Sequence, residues 1–199
     1  MTSRSPAMKR VCEAAVNHFA VNGYDGASLN EIAQMVGIKK ASLYSHFDGK
    51  DALFLQVLED AVAVESAFAT ESLAAAVNIA GPGAAYVEAI ADRYQASVHL
   101  RYLLRTVYLP PAQLKDAIGI AYEGFLDTLR YGFSQHLQTT SFQSLSDTDR
   151  ARYGTAYIGI VESLFVELTY AGREPMETRR EALWQILLDS LSLRGSEQT

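Results

Sequence analysis

Side chains able to contact a phosphate or a base edge are concentrated between residues 39 and 46. They are Lys39, Lys40, Ser42, Tyr44, Ser45 and His46. Cations, hydroxyls, a phenol and an imidazole can all donate hydrogen bonds, and the small Ala41 among them permits close approach of a partner. We interpret this run as a surface suited to an acidic, hydrogen-bonding groove.

Two short helices joined by a tight turn are predicted to position this run. Ser28 followed three residues later by Glu31 is a capping-box pattern, in which the carboxylate reaches back to the Ser28 amide. Gly37 occupies the place where a chain leaves a helix through a left-handed residue. Leu43 and Phe47 then supply the apolar anchors of the second helix. The spacing therefore predicts a helix-turn-helix.

At these residues the chain resembles the TetR family of one-component transcriptional regulators. The family pattern is present as Ala33, Gly37-Ile38, the run from Ser42 to Phe47, and Lys50. One position departs from it, because Lys39 stands where a Ser or Thr often caps the second helix. Lysine cannot accept an N–H bond, so water or a DNA phosphate is expected to cap that helix instead.

The resemblance implies roles for individual residues on double-stranded operator DNA. Base edges are expected to be contacted by Lys40, Ala41, Ser42 and Tyr44, with Asn30 reaching from the preceding helix. Phosphates are expected to be contacted by Ser28, Lys39, Tyr44, Ser45, His46 and Lys50.

Composition places the chain among ordinary globular proteins. It has 199 residues, of which 49% are hydrophobic and 20% are charged. The single cysteine, Cys12, cannot form an intrachain disulfide, and a core or boundary role is expected for it and for His18. No signal-type run or membrane-length apolar segment is present, so a cytoplasmic protein without membrane contact is predicted.

Net charge differs between the two parts of the chain. The formal charge is −6, but residues 1–50 hold six Lys/Arg against four Asp/Glu, whereas residues 51–199 hold eleven against nineteen. A slightly positive N-terminal module followed by an acidic body suits DNA binding through one face. The same imbalance is equally compatible with a soluble enzyme.

Helical periodicity continues through the whole chain, which predicts an all-α fold. An apolar stripe starts a first helix near Met8, and a long helix is predicted from Lys50 to about Leu73. One helix-type segment is predicted over 84–107, another from Pro111 to about Leu137, and long helices over 147–171 and from Pro175 to about Leu193. We predict a three-helix DNA-binding domain at 1–50 and a larger helical bundle at 51–199.

Family resemblance also implies a homodimer and a small apolar or aromatic effector. Broad apolar faces on the last two helices suit a four-helix dimer interface, with Gly154, Ala156 and Gly159 allowing close approach. A pocket among the middle helices is expected to use the following residues: Tyr94, His99, Tyr102, Arg105, Tyr122, Phe125, Glu162 and Phe165.

Catalytic patterns are missing, so we predict neither an enzyme, nor a metal site, nor a cofactor. The chain has no Gly-x-Ser-x-Gly, Cys-x-x-Cys or His-Glu-x-x-His pattern, and its histidines are scattered. Three hypotheses follow: a ligand-released repressor, a DNA-binding activator or architectural factor without an effector, and a helical enzyme or ligand carrier whose hairpin is incidental. Operator, regulated genes and effector identity are not predicted.

Overall fold

The computed structural model describes residues 4–75, 81–140 and 142–196, and within these ranges the regular structure is entirely helical. The expected all-α class is confirmed. The α-helices, in chain order, are α1 Pro6–Gly26, α2 Leu29–Met35, α3 Lys40–Tyr44, α4 Lys50–Ala75, α5 Ala84–Ala96, α6 Val98–Tyr108, α7 Lys115–Thr139, α8 Asp147–Tyr170 and α9 Arg173–Ser196. A 3₁₀ turn at Ala112–Leu114 precedes α7.

Two compact units make up the chain. Unit 1 comprises Met1–Glu65 and Ser97–Gly124, and unit 2 comprises Ser66–Ala96 and Phe125–Thr199. Helices α4 and α7 are continuous and contribute residues to both units. The division into functional domains at residue 50 stays a prediction, because the boundary of a functional domain need not coincide with the boundary of a compact unit.

Aromatic side chains form the core of unit 1, where α1 packs on α6. Phe54 of α4 makes edge-on contacts with Phe19 of α1 at 4.9 Å and with Tyr102 of α6 at 5.3 Å between ring centroids. The Tyr102 hydroxyl donates to the Phe54 carbonyl at 2.9 Å. That bond satisfies the one polar group of a fully buried ring, so the cluster can be dry throughout.

Unit 2 is built on the packing of α8 against α9, with α5 on the same pair. Phe133 stacks on Tyr157 with 4.4 Å between ring centroids, and Tyr157 meets Trp184 edge-on at 6.3 Å. Full burial raises the pKa of Tyr157. Its hydroxyl is nevertheless satisfied, because it donates to the Gly83 carbonyl at 3.2 Å.

One helix predicted over 84–107 is in fact two, so that part of the sequence interpretation is wrong. Ser97 is extended and caps α6, accepting from the Leu100 amide at 3.2 Å. Its hydroxyl also donates to the buried carboxylate of Glu65 at 2.6 Å. A buried carboxylate needs hydrogen-bond donors. Because Ser97 supplies one to Glu65 of α4, the helix is interrupted at Ser97, a residue whose own helix propensity is neutral.

The other helix boundaries are close to those predicted. Ser146 caps α8 by accepting from the Asp149 amide at 3.1 Å, as the Ser-x-x-Asp spacing predicts. Gly172 ends α8 in the left-handed region with φ of 93°, which confirms its role as a stop. Helix α9 begins at Arg173 rather than at Pro175, and α7 begins at Lys115 after a 3₁₀ turn capped by Pro111.

Candidate nucleic-acid interface

The start of α2 departs from the predicted capping box. Ser28 accepts from the Asn30 amide at 3.3 Å, as an N-cap should. The Ser28 amide, however, donates to Nε2 of His18 at 3.2 Å instead of to Glu31. Glu31 places its carboxylate 3.1 Å from the same His18 nitrogen. The reciprocal half of the capping box is thus wrong, because α1 brings an imidazole to the amide that the carboxylate would have taken.

The turn between α2 and α3 has the geometry predicted from Gly37. This residue has φ of 74°, and no non-glycine residue in the described ranges has a positive φ. The Ile38 amide donates to the Ala33 carbonyl and the Gly37 amide to the Gln34 carbonyl, both at 3.0 Å. These two bonds are the Schellman pattern, which satisfies carbonyls at the end of α2. The turn therefore sets the direction in which α3 departs.

Two buried side chains anchor the five-residue helix α3. Leu43 is fully buried, Phe47 is 5% exposed, and both belong to the apolar core of unit 1. All the other residues of the predicted contact run are exposed: Lys39, Lys40, Ala41, Ser42, Tyr44, Ser45 and His46. Anchors on one side and seven exposed positions on the other give α3 a single outward face. Asn30 of α2 is exposed as well.

Local contacts orient several of these polar groups. Lys40 places Nζ 5.7 Å from the centre of the Tyr44 ring, one helical turn away. The Ser45 hydroxyl donates to the Ser42 carbonyl at 2.7 Å, so its proton is committed to the backbone. Lys39 makes no side-chain cap for α3, as its chemistry predicts.

Lys50 lies at the first position of α4, beside the end of α1. Its Nζ is 4.4 Å from the centre of the Tyr24 ring and 3.5 Å from the Asp25 carbonyl. The Tyr24 hydroxyl bonds in turn to Asp51, and burial is the main cause that raises the pKa of this phenol. A lysine held on an aromatic face is restricted in direction, which prepares it for a fixed anionic partner.

The residues expected in an effector pocket are spread over both units. In unit 1, Arg105 lines a cavity of about 290 Å³ with Phe19 and Pro111, whereas His99 lines another of about 310 Å³ with Arg4 and Asp60. Tyr102 and Tyr122 are also in unit 1 and are buried. Unit 2 contains Tyr94, Phe125, Glu162 and Phe165. Among these, Phe125 stacks on Phe165 with 6.4 Å between centroids.

Sequence reasoning missed a further cavity in unit 2. It has a volume of about 350 Å³ and lies between residues 70–74 of α4 and residues 128–139 of α7, with Leu73 and His136 in its lining. The sequence did not predict this cavity, because a cavity depends on which helix faces lie opposite each other and not on the residues of one helix alone. Within the described ranges, no group of three or more His, Cys, Asp or Glu residues could hold a metal ion.

Fold and interface together define a helix-turn-helix module joined to a helical bundle. Residues 11–57 match the model of the family described as bacterial regulatory proteins, tetR family. The match confirms, over this stretch, the resemblance seen in the sequence. None of the helices in the described ranges has the length and apolar character to cross a membrane.

Curated relatives are similar over the same stretch. The Staphylococcus aureus (strain Newman) biofilm operon icaADBC HTH-type negative transcriptional regulator IcaR is 47% identical over 47 residues, which cover 24% of this chain and 25% of the relative. The regulator of the same name from Staphylococcus epidermidis is 39% identical over 51 residues, covering 26% and 28%. The matched part thus spans about a quarter of the length of these relatives.

Solved structures are similar over nearly the whole chain. A transcriptional regulator of the TetR family from Cytophaga hutchinsonii has a TM-score of 0.73 at 18% identity and covers 94% of this chain and 98% of that one. The fatty acid degradation regulator FadR from Bacillus halodurans has a TM-score of 0.72 at 16% identity, covering 94% and 97%. At such identities the likeness concerns the fold, and the fold of this chain is that of TetR-family regulators.

Proposed function

We propose that the protein is a transcriptional regulator that binds double-stranded DNA through α2 and α3. The observation that carries the proposal is the segment around α3, where Leu43 and Phe47 are buried while every other residue from 39 to 46 is exposed and all of these except Ala41 are polar. A recognition helix needs this arrangement, because its side chains must reach base edges while its backbone is fixed by packing. The TetR-family match over residues 11–57 supports the same reading.

Within this interface we assign base contacts to Lys40, Ala41, Ser42 and Tyr44, with Asn30 of α2 beside them. Phosphate contacts are assigned to Ser28, Lys39, Tyr44, Ser45, His46 and Lys50. Local bonding refines two of these roles. Ser28 uses its oxygen as an acceptor, which leaves its proton for a phosphate. Ser45 donates to the Ser42 carbonyl and must release that bond before it can donate to DNA.

Two lysine variants test this assignment on a palindromic fragment from upstream of the protein's own gene. Lys50→Ala should weaken binding to all sequences alike and reduce the slope of log affinity against log salt by about 0.9. Lys40→Ala should instead change the preference at one base position. Lys115→Ala removes one positive charge outside residues 11–57 and is the matched control. Equal effects of Lys40→Ala on specific and nonspecific DNA would remove its role as a reader.

The dimer that a palindrome requires is assigned to α8 and α9. Apolar side chains are exposed on both helices: Val166 at 39%, Tyr170 at 69%, Ile186 at 65% and Leu193 at 69%. A side chain at Gly159 of α8 would meet nothing within 4 Å, so the chain itself gives no steric reason for a glycine there. Close approach of a partner helix supplies one.

Sedimentation of an aspartate variant tests the dimer. Ile186→Asp should shift the protein towards the monomer at micromolar concentration, because a charge would be buried without a partner. Ile120→Asp is the matched control, since Ile120 is also an exposed isoleucine, at 77%, on another helix, α7. A wild-type protein that sediments as a monomer would refute the homodimer, and equal effects of both variants would refute the assignment to α9.

We further propose that the regulator is a repressor released by a small effector bound by residues 51–199. The similar staphylococcal proteins are named negative transcriptional regulators, which favours repression. Helix α4 is continuous from Lys50 to Ala75 and can transmit the effect of a ligand, because its residues up to Glu65 belong to unit 1 and those from Ser66 belong to unit 2. A shift of this helix would change the separation of the two recognition helices.

Coupling of this kind is reciprocal. An effector that lowers operator affinity by some factor must itself bind more weakly, by the same factor, when operator is present. Calorimetric titration of any confirmed ligand with and without operator measures both sides. An unchanged ligand affinity would refute the release mechanism and leave a constitutive DNA-binding factor.

A further inference from the structure

The imidazole of His18 joins α1 to the start of α2. Its Nε2 lies 3.2 Å from the amide nitrogen of Ser28 and 3.1 Å from a carboxylate oxygen of Glu31. Its Nδ1 lies 3.2 Å from the side-chain nitrogen of Asn22. The His18 side chain is 10% exposed, whereas that of Glu31 is 59% exposed. Three groups therefore surround a ring that cannot bond to all of them in one protonation state.

The Ser28 amide determines which nitrogen of the ring carries the proton. Its hydrogen is fixed by the peptide plane and is directed at Nε2, so Nε2 must be the acceptor. The neutral ring of His18 then carries its proton on Nδ1. The other two groups do not depend on the ring, because Glu31 and Asn22 are both exposed and can bond to water. Asn22 also donates to the His18 carbonyl at 3.0 Å.

Ser28 is fixed by hydrogen bonds at three of its polar atoms. Its amide donates to His18. Its carbonyl accepts from the Ile32 amide at 3.1 Å, and its hydroxyl oxygen accepts from the Asn30 amide at 3.3 Å. Within the described ranges the Ser28 hydroxyl proton has no acceptor. A donor on a residue held by three bonds is oriented before a phosphate arrives, which lowers the entropic cost of that contact.

One of these three bonds connects Ser28 to a different helix. The bonds from Asn30 and Ile32 belong to α2 and move with it. The bond to His18 connects Ser28 to α1, which is itself fixed in the core of unit 1: Phe19, the next residue, is 1% exposed and contacts the ring of Phe54. The imidazole therefore sets where the Ser28 hydroxyl lies relative to the rest of unit 1.

We propose that His18 is a positioning residue of the DNA interface, whose neutral ring, protonated on Nδ1, holds the Ser28 amide so that the Ser28 hydroxyl can donate to an operator phosphate. The sequence alone predicts a core or boundary role for this histidine. The part of the inference that concerns DNA rests on the proposed function, whereas the tautomer and the bond to Ser28 do not.

NMR of the ¹⁵N-labelled histidine rings in the full-length protein tests the tautomer without DNA. At about pH 8.5, above the range in which histidine usually changes charge, His18 should show a protonated Nδ1 and an unprotonated Nε2. His18→Leu identifies the signals of this ring by their absence. A proton on Nε2 of His18 in the wild-type protein would overturn the proposal.

Two substitutions separate the acceptor of His18 from its bulk. His18→Gln keeps an oxygen near the place of Nε2 that can accept from the Ser28 amide, whereas His18→Leu occupies similar space without an acceptor. Affinity for the palindromic fragment at about pH 8.5 should fall about tenfold in His18→Leu, as expected when one hydrogen bond to a charged group is misplaced. His18→Gln should recover most of that loss. Equal losses in the two variants would contradict a role of the acceptor.

A double-mutant cycle tests whether His18 acts through Ser28. In a Ser28→Ala background the hydroxyl is gone, so adding His18→Leu should lower affinity by less than about twofold. Lys50→Ala is the matched background, because it removes a different phosphate contact and His18→Leu should there keep its tenfold effect. A tenfold loss in both backgrounds would refute action through Ser28. If the tautomer is as stated but the wild-type protein binds no operator, only the proposed function fails; if operator binds and His18→Leu does not weaken it, only this inference fails.

Discussion

Replacement of Gly37 by alanine isolates the energetic role of the turn between α2 and α3. A side chain at this residue would meet nothing within 4 Å, so no steric clash contributes. The whole cost comes from φ of 74°, a left-handed conformation that costs a residue with Cβ about 1–2 kcal/mol. Gly37→Ala should therefore lower the free energy of unfolding by about that amount, and Gly37→Asn by less.

The same substitution at Gly119 should have the opposite sign. Gly119 lies inside α7, where a side chain would also meet nothing within 4 Å. Alanine there should stabilise the protein by about 0.5–1 kcal/mol, because glycine is the poorer helix former. Urea unfolding followed by circular dichroism measures both variants. If Gly37→Ala proved as stable as the wild type, the left-handed turn would not be what holds α3 in place.

Three further predictions concern buried groups. Burial raises the pKa of Cys12 to about 11 from an ordinary 9.0, so alkylation by iodoacetamide at pH 8 should be at least about 100-fold slower in folded than in unfolded protein; equal rates would contradict it. Gly83→Ala should destabilise far more than Gly172→Ala in urea, since both residues have positive φ but only Gly83 also faces a clash. Tyr102→Phe removes the bond to Phe54 and should cost about 1–3 kcal/mol by the same assay, whereas no loss would show that bond to be unimportant.

Local sequence determined the helix-turn-helix almost completely. Gly37 is read as a left-handed residue because few other residues tolerate that conformation, and the spacing of Leu43 and Phe47 selects one buried face. The exposed run at α3 follows from the same periodicity. These features depend on residues within one or two helical turns of each other, and so a sequence alone can predict them.

Contacts between residues distant in the chain could be seen only in the tertiary structure. The Ser28 amide donates to His18 rather than to Glu31. Ser97 interrupts a helix and donates to Glu65. In both cases tertiary packing brings the partner from another helix. The imidazole of His136 is likewise positioned by a distant residue, since its Nδ1 accepts from the amide of Gly83, 53 residues away in the chain. Helical periodicity says which face of a helix is buried but not which other face it meets, and a binding cavity is a property of the two faces together.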